Sequence, residues 1–100
     1  MAAELDQRLE KYAELAVRVG ANVEAGQTVF IGAIVQHAPI VRALTRASYA
    51  AGARYVDVFY TDQHVRKAKL ELGPDEAIGY TPEWLKERWG AMAGNARIAT

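Results

Sequence analysis

The sequence predicts an α/β protein, a three-layer αβα arrangement with a small, mostly parallel sheet and helices on both faces. Three observations carry this. Two short runs, "TVFIGAI" (28–34) and "RYVDVFY" (54–60), are rich in β-branched and aromatic residues. Between and around them, apolar residues recur at spacings of three and four, the period of a half-buried helix. "TVFIGAI" shows no polar alternation, as expected for a strand covered on both faces. Helices and strands alternating in this way fold as parallel sheets with right-handed crossovers.

The elements follow in order. Residues 3–19 read as a helix whose stripe is Leu5, Leu9, Tyr12, Ala13, Ala16 and Val19, with Gly20 as its stop. "ANVEAGQ" is a loop in which Gly26 can take a positive φ. After the first strand, Pro39 suits a first helical turn, and Ile40, Val41, Leu44, Ala47, Ser48 and Ala51 form the next stripe, ended by Gly52. In the second strand Val56, Val58 and Tyr60 share one face, and Tyr55, Asp57 and Phe59 the other. Asp62 leads into a third helix with Val65, Ala68 and Leu72 inward and Arg66, Lys67 and Lys69 in water, stopped by Gly73-Pro74. "DEAIGY" is a connector or a single turn. Thr81 is expected to cap a last helix with Pro82 in its first position, and Leu85, Arg88, Trp89 and Met92 on its buried side. "ARIAT" reads as the start of a third strand.

Composition limits the partners. The 100 residues are 51% hydrophobic and carry 12 basic and 12 acidic side chains. A net charge of zero argues against a nucleic acid or an anionic membrane as partner. With no cysteine there is no disulfide framework and no thiolate site. "MAAELDQRLEKYAELAV" is charged throughout, unlike a signal peptide or a membrane span.

Phosphate-cradling glycine motifs, the G-x-S-x-G elbow and H-E-x-x-H are all absent from the sequence. The remaining polar candidates lie where open parallel sheets bind ligands, beyond the carboxyl ends of the strands. His37 follows the first strand, and Asp62 with His64 follows the second. Two imidazoles and a carboxylate are a possible ligand set for a divalent metal. The preferred reading is structural: Asp62 caps a helix, His64 lies in its first turn, and His37 is a loop residue. Asp57, a carboxylate in an apolar strand, needs a partner, for which Arg97 and Arg54 are the candidates. "VRKAKLE" is a solvated helix face.

Three segments, "LEKYAELAVRVGANVEAGQTVFI", "APIVRALTRASYAAGARYVDVFYTDQHVRKAKLE" and "YTPEWLKERW", together resemble the N-terminal domain of the thermophilic metalloaminopeptidases of the aminopeptidase T and aminopeptidase S type. The resemblance runs the length of the chain. It implies an enzyme that releases N-terminal amino acids from peptides with two divalent metal ions, zinc or cobalt, and works as a cytoplasmic homodimer. It also implies a polypeptide about four times longer, whose metal ligands and acid–base carboxylates lie in a later domain. No catalytic or metal-binding residue can be carried over onto this chain, which is therefore expected to be inactive alone. Residues 1–100 are read as one α/β domain of a protein continuing past Thr100. Two alternatives stay open: a ligand-binding module around His37, Asp62 and His64, or a module that self-associates. The second rests on "TVFIGAI" and "ARIAT" as sheet edges without a blocking charge or proline.

Overall fold

The strand Thr28–Ile34, β1, is the centre of the molecule. A computed structural model describes residues 2–100. It places β2 (Tyr55–Thr61) on one side of β1 and β3 (Ala96–Ala99) on the other, both parallel to it. The sheet order is therefore β2-β1-β3. This corrects the expectation that "TVFIGAI" forms an edge: the edges are β2 and β3. The lack of polar alternation in β1 fits its central place, for Val29, Phe30, Ile31 and Ala33 are all buried.

Period-2 geometry divides the sheet into two unlike faces. Val29, Ile31, Ala33, Val56 and Ala96 point to the first face, where they meet helices α1 (Ala2–Leu15) and α2 (Ala38–Ala50) in one core. From α2 come Val41, Ala43, Leu44 and Ser48, and the Ser48 hydroxyl is satisfied by donating to the Leu44 carbonyl at 2.7 Å. The α2 stripe thus forms as its spacing predicts, with Ala43 added.

Helix α1 departs from its pattern. It ends at Leu15, and Ala16–Gly20 continue as a π-helical turn in which the Ala21 N–H donates to the Ala16 carbonyl. Ala13 and Val17 are fully buried, and Leu9 and Ala16 pack beside them. Leu5, Tyr12 and Val19 stay exposed. The predicted stripe is wider than the surface available to cover it, so only one flank is buried.

Two glycines set the strand starts. Gly26 and Gly52 have φ of +84° and +99°, and the Gly26 N–H donates to the Gly52 carbonyl at 2.9 Å. A Cβ on Gly52 would lie 3.1 Å from Ala25, so a side chain there is both strained and crowded.

The segment between β2 and β3 holds α3 (Gln63–Leu72), the single turn α4 (Asp75–Ile78) and α5 (Glu83–Ala91). None of the three contains a buried residue. The expectation that Val65, Ala68 and Leu72 face inward fails, and Trp89 is exposed rather than core. For α3 the described residues provide no second surface for the apolar stripe, whereas α5 keeps Leu85, Arg88 and Met92 half-buried and turns Trp89 outward. Thr81 is not the cap of α5: Pro82 holds the N-cap position, and its carbonyl accepts from the Leu85 N–H. Among the described residues, no helix is long and apolar enough to cross a membrane.

Candidate functional site

The chain turn after β1 is a 3-10 turn, Val35–His37, leading directly into α2. It holds His37 half-buried, with its Nδ1 and the Thr100 Oγ1 sharing a hydrogen bond of 3.1 Å. This bond ties the carboxyl ends of β1 and β3 together. After β2, Asp62 takes extended backbone angles and its Oδ1 accepts from the His64 N–H at 2.8 Å. It is a helix N-cap, satisfying one of the amide donors that a helix start leaves free. The His64 side chain is in water.

The three candidate residues do not converge. A strand-end hollow of about 780 Å³ includes Asp62 in its wall but neither histidine. Its other walls are Ile34 and Tyr60 from the strands, and Val65, Arg66 and Lys69 from α3. Among the described residues, no group of three His, Asp or Glu side chains could hold a metal ion. A divalent cation therefore does not fit this set. Arg66 and Lys69 join the hollow because α3 leaves the strand end at Asp62 and carries them back over it. Their spacing of three, on the same helix flank as Val65, was the available signal.

A second cluster lies on the other face of the sheet. The Arg88 guanidinium of α5 forms an ion pair with Asp57, its Nη2 2.8 Å from Oδ2, and lies 4.5 Å above the Phe59 ring centroid. Both charged side chains are about 30% exposed. Arg88 Nε is buried with no hydrogen-bond partner among the described residues. Asp57 is thus partnered by Arg88 and not by Arg97 or Arg54. The strand order explains why: Phe30 stands opposite both Asp57 and Arg97, so β1 separates them by two strand spacings, roughly 9.5 Å. Gly32 makes room for this cluster, since a Cβ there would lie 2.8 Å from Phe59 Cζ. The arrangement pins α5 to the sheet, and no reactive group stands free in it.

Comparison with known proteins supplies what these side chains do not. Residues 5–99 match the thermophilic metalloprotease family M29. Aminopeptidase T of Thermus thermophilus is 42% identical over 95 residues, which are 93% of this chain and 23% of that protein. Aminopeptidase AmpS of Bacillus subtilis is 44% identical over 78 residues, 78% of this chain and 19% of that protein. The solved structure of wild-type AmpT from Thermus thermophilus superposes with a TM-score of 0.82 at 41% identity, covering 93% of this chain and 24% of that one. The chain spans about a quarter or less of the length of these relatives. A match over nearly every residue, in sequence and in backbone, leads to one conclusion: the chain belongs to the thermophilic metalloprotease family M29.

Proposed function

We propose that these residues form the N-terminal, non-metal-binding part of a metal-dependent aminopeptidase that releases N-terminal amino acids from peptides. One observation carries the reading: 42% identity to Aminopeptidase T across 93% of the chain. Peptide is then the substrate, the cytoplasm the compartment and a homo-oligomer the assembly. On this reading the ligands of the divalent ion, zinc or cobalt, come from other parts of the polypeptide. What residues 2–100 contribute is a rigid parallel sheet with a firmly packed first face, a scaffold for positioning rather than for chemistry.

A chimera tests this. The matched segment of Aminopeptidase T from Thermus thermophilus is replaced by residues 5–99 of this chain, the span that matches the family. The chimera is expected to hydrolyse leucine p-nitroanilide with added cobalt or zinc. The 100-residue chain alone is expected to be inert under the same conditions. A folded but inactive chimera, or metal-dependent turnover by the chain itself, would overturn the proposal.

A second reading has one observation behind it, the 780 Å³ strand-end hollow with Arg66 and Lys69 on its wall. Its apolar floor, with two cations against the single carboxylate of Asp62, suits a small anion with an apolar body. A rise in melting temperature with such a ligand, lost in Arg66→Ala, would support it.

A further inference from the structure

Among the described residues, β3 has a neighbouring strand on one side only. The Thr100 N–H donates to the Gly32 carbonyl of β1 at 3.0 Å. Alternation along a parallel strand then turns the N–H and C=O groups of Arg97 and Ala99 away from β1, toward the open edge. The opposite edge is treated differently: the Val56 N–H of β2 donates to the Tyr49 hydroxyl at 3.1 Å. No such side chain serves the outer edge of β3 among the described residues.

Two hollows flank that edge, one on each face of the sheet. On the first face, about 430 Å³ lies between Ile98 and the unburied flank of α1 and its π turn, formed by Tyr12, Leu15 and Val19. Those three side chains are 61%, 61% and 72% exposed, and their spacing makes them one ridge. On the second face, about 400 Å³ opens over Phe30, Phe59 and Met92. Arg97 lines both hollows, is exposed, and has no carboxylate partner among the described residues.

The molecule as a whole is short of cover. Its accessible surface is 7271 Å² for 11.0 kDa, against about 5,600 Å² for a folded monomer of that mass. Its radius of gyration is 15.9 Å, against about 13 Å for a compact chain of this length. The excess area is about twice the roughly 800 Å² that each partner buries in a standard interface.

We propose that the outer edge of β3 is a strand-addition site, occupied by an apolar β-strand from polypeptide outside these 100 residues, of the kind carried by the much longer relatives. The strand runs parallel to β3, continuing an all-parallel sheet. Its backbone takes the free groups of Arg97 and Ala99. One set of its alternating side chains enters the hollow beside Tyr12, Leu15 and Val19. Right-handed connection places the helix that links it to β3 on the second face, over Phe30 and Met92. Arg97 requires an acidic residue on this strand–helix unit. A second copy of the chain is the poorer occupant: antiparallel pairing of two β3 edges would put two Arg97 side chains on one face of a short ladder.

The inference rests on reading the chain as one part of a longer polypeptide. Its test uses binding alone, so it and the proposed peptidase activity can fail separately. A labelled synthetic peptide of roughly 30 residues, one βα unit, is taken from the sequence directly after the matched segment of Thermus thermophilus Aminopeptidase T. Anisotropy titration against the 100-residue chain is expected to show saturable binding. Leu15→Lys and Arg97→Glu, both at exposed positions, should each weaken it about tenfold. Leu72→Lys, on α3, should leave it unchanged. Circular dichroism on each variant confirms the fold. No saturable binding by the folded chain, or equal weakening by Leu72→Lys, would overturn the proposal. So would sedimentation showing a dimer that Arg97→Glu dissociates and the peptide does not.

Discussion

Helix α2 puts Val41, Ala43, Leu44 and Ser48 under cover, whereas α3, with apolar residues at the same spacings, buries none. The two helices differ in what surrounds them more than in how they are written. α2 lies against the sheet and against α1, so its apolar side has two surfaces to meet. α3 leaves the end of β2 at Asp62 and finds neither. Helical spacing defines which side of a helix is apolar, and burial requires a second surface that the spacing cannot supply.

That contrast can be broken or sharpened by substitution. The largest effect is expected at Leu44, only 1% exposed: Leu44→Ala should cost about 2–5 kcal/mol in urea unfolding, because a cavity remains in a packed core. A smaller loss there would mean that the first face is looser than its packing indicates. Next comes the pin on the second face. Asp57→Ala should cost about 1–3 kcal/mol, between the limits for surface and buried ion pairs. A double-mutant cycle with Arg88→Ala measures the coupling, and additive losses would show that the pair holds nothing in place.

At Asp62 the effect is local. Asp62→Ala should reduce the stability of α3 by about 0.5–2 kcal/mol, read from amide exchange at the helix start, with Asp62→Ser restoring most of it. If zinc protected the parent and not the alanine variant, ligation and not capping would be its role. The smallest change is expected at Leu72, 84% exposed, where Leu72→Ala should alter unfolding by no more than about 0.5 kcal/mol. A loss comparable to that at Leu44 would erase the contrast between the helices.

Much of the fold was legible because local signals and global packing agree. β1 occupies the residues its apolar run marks, and Asp62 sits where a cap residue belongs before an apolar period. What could not be read was adjacency. Nothing in "RYVDVFY" or "ARIAT" tells which strand lies beside which, so Arg97, which lies across an intervening strand, stands beside Arg54 as a candidate partner for Asp57. In α1 the pattern gave the width of the apolar stripe, and only contact could tell which flank is covered. The candidate site was legible one residue at a time: three residues at strand ends were named, but their convergence depends on loop geometry. Arg88, held under α5, carried no signal beyond its helical phase.

The separation between β1 and β3 along the chain has a kinetic consequence. Where these strands begin, the Thr28 N–H donates to Asn95 Oδ1, closing a span of 67 residues. The β1–β2 ladder closes less than half that span. Each doubling of a closed loop costs about 0.6 kcal/mol of chain entropy. The β1-α2-β2 unit is therefore expected to assemble first, with β3 arriving late and leaving early. During synthesis, β3 emerges well after β1 and β2. Until it docks, the hydrogen-bonding side of the most apolar strand in the protein stands open to any other extended chain.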